Sequence, residues 1–306
     1  MSRIMTIQTR KNITQQQGKA FRIFLAFLYI TTFAVVIYYL MDGLNYYLLS
    51  YADRPRHADY RTLKPGGLLG HGFGILGSSM MILMLLYSVR KRFRAFSKWG
   101  SLSRWLDIHI YFGLMGPLFI ILHTTFKLNG LVAVSFWSMI AVSLSGIVGR
   151  YLYLQIPRNI KGHELTLSEA EEMDRQMTER LRNEFWLEDD ALSEIETLII
   201  GREKSHKTAI GTLFSMITGD IARSVRSIFI KRAVRKKFNI PGNQLNPILK
   251  AARQKAMIRH RLKLWSSTHK LFHHWHVFHK PFAIIMYLIM IIHIIVTVLL
   301  GYRWIF

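Results

Sequence analysis

The sequence predicts an all-α integral membrane protein, with five transmembrane helices and a helical cytoplasmic insert before the last of them. Three observations carry this. Half of the 306 residues are hydrophobic (51%), yet the net charge is +23. That pairing suits membrane spans joined by basic loops and argues against a soluble nucleic-acid binder. Five runs are long and apolar enough to cross a hydrocarbon core of about 30 Å. Between 155 and 268 no such run occurs, and helix-start signals and charged residues dominate instead. The expected division is 1–154 (spans one to four), 155–268 (insert) and 269–306 (span five).

Residues 1–20 are polar and basic (Arg3, Arg10, Lys11, Lys19). The run Phe21 to Met41 carries no charge after Arg22 and lacks a small-residue cleavage site, so it reads as a span and not a signal peptide. Residues 42–66 read as a nearly neutral polar loop. Span two, about Gly67 to Val89, opens on the glycine-rich stretch Gly70-His71-Gly72-Phe73-Gly74-Ile75-Leu76-Gly77. Gly70, Gly74 and Gly77 share a face, which fits either close approach of a neighbouring helix or contact with a flat macrocycle. After a basic stretch (Arg90, Lys91, Arg92, Arg94, Lys98, Arg104), span three covers about Trp105 to Phe126. Span four runs from about Leu131 to Leu154 and stops at Arg150 and the breaker Pro157.

In the insert, Ser168-Glu169-Ala170-Glu171 has the form of a capping box opening a helix of about 20 residues through Glu172, Arg175, Glu179, Arg182 and Trp186. The paired acids Asp189-Asp190 begin another. From Arg223 to Lys237, seven basic residues alternate with Ile228, Phe229, Ile230 and Val234. Such a stretch lies along anionic headgroups or packs one face on the insert; both readings stand. Pro241-Gly242 is a break, and Asn246-Pro247 is expected to cap a basic helix leading to span five.

Chemistry enters with the histidines. His279 and His293 in span five are fourteen residues apart, and so are His109 and His123 in span three. Fourteen residues fall about 40° short of four whole turns, so each pair shares one helix face, with about 21 Å between its members. Two helices so equipped hold two stacked haems, each ligated by one imidazole from each helix. Lone buried histidines are usually satisfied polar residues. Two pairs at matched spacing at membrane depth, where polar groups are costly, favour the haem reading. With no cysteine, disulfides, iron–sulfur clusters, thiolate chemistry and covalent c-type attachment are excluded, so the expected cofactors are two haem b groups. Gly113 and Gly116 follow His109 by four and seven residues, and their bare backbone is expected to leave room for the macrocycles.

The basic segments 1–20, 90–104 and 155–268 alternate with nearly neutral loops, which puts the amino terminus in the cytoplasm and the carboxyl terminus outside. Spans three and five are then parallel. His109 should pair with His279 near the cytoplasmic face, and His123 with His293 near the outer face.

Paired histidines of this spacing resemble those of di-haem transmembrane cytochrome b domains, of the ferric-reductase-like and cytochrome b561 types. The stretch Trp275-His276-Val277-Phe278-His279-Lys280-Pro281, with His293 following, is most similar to the ferric-reductase-like group and to bacterial b-type subunits that accompany multihaem c-type cytochromes. The resemblance covers about 67–154 and 269–302. It implies axial-ligand roles for His109, His123, His279 and His293 and a place in the bacterial cytoplasmic membrane. It also implies electron transport between a quinone (menaquinone or ubiquinone) and an extracytoplasmic c-type cytochrome or other redox subunit. The chain departs from flavin-linked reductases, because no Gly-rich nucleotide loop follows a strand. The alternative is a haem-containing reductase core fed by a separate cytoplasmic flavoprotein. A haem-free anchor or metal-ion transporter is weaker, since only Asp107 supplies an acid within the spans.

Other residues are candidates for supporting roles. His276 competes with His279 as ligand but lies about 100° off the face of His293. His71, near the outer end of span two, is either a hydrogen-bonded interfacial residue or a proton acceptor at a quinone pocket. Asp107 is its rival on the cytoplasmic side. Arg104, Arg150 and Lys280 inside, and Lys127 and Arg303 outside, fit haem propionates or plain solvation.

Overall fold

The computed structural model describes residues 2–96, 98–156, 165–185, 189–201, 208–238 and 242–301; at 2–17, 209, 227, 236 and 242–244 only the backbone is described. Pro157, Trp186, Pro241 and Arg303 lie outside the described residues.

Among the described residues every regular element is helical. In order they are α1 (Ser2–Asp42), α2 (Leu44–Leu48), α3 (Tyr60–Leu63), α4 (Leu68–Leu83), α5 (Leu86–Arg92), α6 (Leu102–Thr124) and α7 (Gly130–Gln155). Then follow α8 (Leu167–Phe185), α9 (Asp189–Ile200), α10 (Ala209–Phe238), α11 (Gly242–Lys263) and α12 (Trp265–Leu299). Five segments are long and apolar enough to cross a membrane: Gly18–Asp42, Tyr60–Arg92, Leu102–Thr124, Gly130–Gln155 and Trp265–Leu299. The chain is a multi-pass membrane protein, and the apolar side chains its spans leave exposed, such as Ile23, Phe27 and Ile30 on α1, are where lipid meets it.

The chain divides into two compact units, 1–146 with 279–306, and 147–278. In the first, α4 and α6 form the tight pair. Gly77 sits where a Cβ would lie 2.9 Å from the Gly116 carbonyl oxygen and 2.8 Å from Ile120, so only glycine admits this approach. Tyr111 on α6 meets α1 through Thr32 (2.6 Å between hydroxyls) and edge-on packing with Tyr29. A second core joins Met81, Met139, Met286 and Met290 from α4, α7 and α12. There the Ser135 hydroxyl donates to the Met286 carbonyl at 3.0 Å, and the Tyr287 hydroxyl to that of Met81 at 2.6 Å.

Residues 42–66 are not the open polar loop expected. They fold into α2, a 3-10 turn at Arg54–Arg56, and α3, with Tyr46, Tyr47, Leu63 and Arg54 buried. Arg54 explains the difference. Its guanidinium donates to the carbonyls of Leu49 (3.2 Å), Thr125 (2.7 Å) and Tyr47 (2.8 Å) and lies 4.5 Å from the Tyr51 ring centroid. This ties the segment to the end of α6, where Thr125 and Phe126 adopt left-handed conformations (φ 49° and 61°).

The second unit takes in residues 147–155 and 265–278 of two spans together with α8–α11. Its main core, from α9, α10 and α11, includes Ile195, Val234, Leu245, Ile248 and Ala256. A smaller core joins Met216 of α10 to Leu152 and Leu271. Two ionic networks accompany them. Buried Glu196 accepts from buried Lys255 and from Arg259 (2.7 Å). Asp220 accepts from the Tyr151 hydroxyl (2.6 Å), Gln155 (2.7 Å) and Arg223.

The start of α8 differs from expectation by two residues. Thr166, not Ser168, is the cap: Glu169 accepts from the Thr166 backbone N–H at 2.7 Å, and the Thr166 hydroxyl accepts from the Glu169 N–H at 3.2 Å. Both Thr166-x-x-Glu169 and Ser168-x-x-Glu171 fit the pattern. The first wins because it buries Leu165 before the cap and Ala170 one turn inside, the staple arrangement. Helix α11 begins at Gly242, before the expected Asn246-Pro247 cap, and carries Pro247 inside it. It meets α12 across a one-residue turn at Leu264.

Candidate functional site

The site is built from imidazoles on two spans, held by a third and a fourth. His123 lies in the last turn of α6. Its Nδ1 is 2.8 Å from the Gly70 carbonyl oxygen of α4. The ring reaches that oxygen because residue 74 has no side chain; a Cβ on Gly74 would lie 2.7 Å from His123 Nδ1. Gly70 is itself crowded by the Lys64 carbonyl, 2.1 Å from a Cβ placed there.

His109, one face and four turns away on α6, places its Nδ1 3.0 Å from the Met84 carbonyl oxygen. Here span two is broken between α4 and α5. The Ser88 N–H bonds to Leu85, not to Met84, and Met84 receives only a 3.3 Å bond from Tyr87. The irregularity turns a backbone acceptor toward the imidazole, a local departure from the continuous helix the sequence predicts.

His279 on α12 has Nδ1 2.7 Å from the Ser145 hydroxyl of α7. That hydroxyl also lies 2.9 Å from the Val142 carbonyl, which accepts from it when His279 donates. Two residues before, Ser143 donates to the Gly113 carbonyl of α6 at 2.8 Å. Through these serines α7 reaches both histidine-bearing helices at one level.

These bonds have a chemical result. A carbonyl can only accept, so Nδ1 carries the proton in His109 and His123, while the Ser145 hydroxyl serves His279 in either role. The lone pair of the His109 and His123 rings is then on Nε2. This is the arrangement of a metal-ligating imidazole, whose second nitrogen is oriented by a neighbouring acceptor. Three other histidines of α12 differ. His269, His274 and His276 place Nδ1 on the carbonyls of Trp265, Lys270 and Phe272, four residues back on their own helix.

His123 and His293 come together, with ring centroids 6.5 Å apart and planes at 61°. Metal–imidazole bonds of about 2.0–2.1 Å on opposite sides of one ion set ring centroids about 6 Å apart. The spacing therefore suits two imidazoles sharing a metal between them.

No known family model, curated protein or solved structure matches this chain. The site therefore has to be read from its own chemistry. Among the described residues no three His, Asp or Glu side chains gather into a metal site. A bis-histidine haem iron asks for two.

The remaining candidates fall in different places. His71 is half-buried and within electrostatic reach of His123 and His293. Asp107 is half-buried two residues before His109. Gly116 does not open space beside the histidines: α4 fills that face, with Met81 and Met80 3.2 and 3.3 Å from a Cβ built on it. Gly113 keeps only Met84 nearby, its sulfur 3.6 Å from such a Cβ. Gly74 and Gly77 likewise serve ring placement and helix approach. Lys280 is exposed, and Arg150 lies over the Tyr153 ring at 5.5 Å. Arg104 lies over Phe21 at 5.6 Å and Lys127 over Tyr51 at 5.8 Å. The sequence reading missed Met84, Ser145 and Arg54. Two of these act through a backbone carbonyl or a small hydroxyl, which leaves no mark in spacing.

Proposed function

We propose that this chain is a di-haem b-type cytochrome subunit that carries electrons across the membrane between the quinone pool and an extracytoplasmic redox partner. The supporting observation is the common orientation of His109, His123 and His279, each with Nδ1 hydrogen-bonded to a group on a neighbouring helix, which leaves Nε2 for a ligand. The 6.5 Å approach of His123 to His293 adds a ring pair at the right spacing. His123 and His293 hold the outer haem, and His109 and His279 the inner one. His279 is preferred to His276 because its Nδ1 bond crosses to α7, whereas that of His276 stays within its own helix.

Bound there, haem supplies reversible one-electron transfer between ferric and ferrous iron. The chain supplies the rest. The Gly70 and Met84 carbonyls and the Ser145 hydroxyl fix ring orientation and make each imidazole a stronger donor. The methionine core around Met286, midway between His279 and His293, keeps water from the space between the two levels. His71 stands where a quinol at the outer haem needs a proton acceptor, with Asp107 the corresponding group at the inner level. Lys280, next to His279, is the basic partner for a propionate. On this reading the chain sits in a bacterial inner membrane as part of a respiratory oxidoreductase, with a c-type cytochrome or similar subunit as partner.

The test is a reduced-minus-oxidised spectrum of the purified chain with a haem-to-protein ratio, followed by addition of menaquinol without any flavoprotein. Two b-type haems per chain and reduction by the quinol are expected. No haem would sink the proposal. Haem that stays oxidised until a flavoprotein is added would turn it into a reductase core.

A further inference from the structure

The second unit carries a feature that electron transfer does not use. In α8–α11 the exposed large hydrophobic side chains, Leu167 apart, all stand on α10: Ile210 (83% exposed), Phe214, Ile221, Val225, Ile228 (73%) and Phe229. At about 100° per residue, Ile210, Phe214, Ile221, Val225 and Ile228 fall within about 60° of one another and form a stripe about 27 Å long. Exposed Arg232 and Arg235 continue the same line, with exposed Lys231 beside them. The stripe is not a span, since Asp220, Arg223 and Arg226 interrupt the helix. Nor is it the face that packs on the insert. That face is separate and carries Met216, Ile230 and Val234, all buried.

The packed face says where α10 is held. Met216 shares a core with Leu152 and Leu271, and Asp220 is bonded to Tyr151 and Gln155. Residues 151–155 end the span Gly130–Gln155, and Leu271 lies early in the span Trp265–Leu299. The middle of α10 is thus fastened to the ends of two membrane spans. A helix held at that level, apolar along one exposed face and basic at one end, has the chemistry of an interfacial helix. We infer that the exposed stripe of α10 lies in the headgroup region of an anionic bilayer, its apolar side chains in the acyl boundary and Arg232 and Arg235 against lipid phosphates. Charge complementarity selects this occupant, because the stripe runs into three cations and the stretch from Ile221 to Phe238 contains no acid.

Because the chain has no cysteine, single-cysteine variants of the whole protein give clean probes. Phe214→Cys, Ile221→Cys and Ile228→Cys, with Glu179→Cys on α8 as a water-exposed reference, are labelled with an environment-sensitive fluorophore. Each is reconstituted in vesicles of phosphatidylcholine alone or mixed with phosphatidylglycerol, with a nitroxide on the lipid headgroup. The three α10 positions should be quenched several-fold more than position 179, and more strongly in the mixed vesicles. Arg232→Gln with Arg235→Gln should bring the mixed-vesicle quenching down to the neutral-vesicle level. Quenching equal to that at position 179 overturns the inference. So does a label shielded from water yet out of reach of the lipid nitroxide, which would make the occupant a second copy of the chain.

Discussion

The two units solve the same problem, a polar group in an apolar core, by opposite means. Around the histidines the hydrogen-bonding groups at Nδ1 are neutral: a carbonyl for His109, a carbonyl for His123 and a hydroxyl for His279. In the insert the buried groups are charged and networked, with Glu196 held by Lys255 and Arg259, and Asp220 by Arg223, Tyr151 and Gln155. A charge in hydrocarbon costs several kcal/mol even when snorkelling is possible, whereas a buried carboxylate is held where cations and hydroxyls pair with it. A neutral imidazole needs one acceptor and keeps a nitrogen lone pair for other work. A carboxylate in an ion network keeps nothing in reserve.

The comparison is most easily broken at Glu196. In the insert, Glu196→Ala leaves Lys255 buried without its main partner, and the expected loss is about 3–5 kcal/mol. Hydrogen exchange of α8, α9 and α11 in the full-length protein should accelerate, with the absorbance of any bound haem unchanged. If exchange stays as in the parent, the network is not what holds this unit.

A smaller effect is expected in the first unit, where packing and not charge is at stake. Gly77→Val places branched carbon against the Gly116 carbonyl and Ile120, and overpacking of this kind costs about 1–3 kcal/mol. Thermal unfolding in detergent reports it. A transition unmoved by the change would show that α4 and α6 do not meet as closely as described.

The smallest effect concerns pH. Burial alone would raise the Asp220 carboxyl, but hydrogen bonds from Tyr151, Arg223 and Gln155 outweigh it and hold the group below its usual value of 3.8. Its contribution is therefore complete above that value and fades as pH falls below it. Asp220→Asn should remove this acid-side loss, read as exchange of α10 amides between pH 6 and pH 3. An identical acid-side profile in the variant would contradict the assignment.

What the sequence disclosed and what it hid follow the same division. Five spans and the histidine spacing were legible because membrane length and a helical period are properties of runs. The fold of 42–66 was not, because it depends on one arginine, Arg54, reaching the Thr125 carbonyl 71 positions later in the chain. The cap at Thr166 is hidden because two overlapping patterns, from Thr166 and from Ser168, compete and burial of Leu165 decides. The break at Met84 lies in the run Met80 to Leu86, which has no glycine, proline or charge to announce it, and only the imidazole opposite gives it a purpose. A glycine at a helix crossing, as Gly116 is against α4, looks the same from sequence as one that makes room for a macrocycle.

The central claim is that His123 and His293 serve one haem and His109 and His279 another. Four purified variants, each with one of these residues changed to Ala, test it by haem content and redox titration. His123→Ala and His293→Ala should each keep about half the parent's haem and show the same single remaining transition. His109→Ala and His279→Ala should keep the other. The spans insert by their apolar length whatever the haem content, so the loss should be of haem and not of protein in the membrane. Four variants that all retain two low-spin haems would contradict the ligand set, and a haem lost from His71→Ala but not from His293→Ala would contradict the pairing.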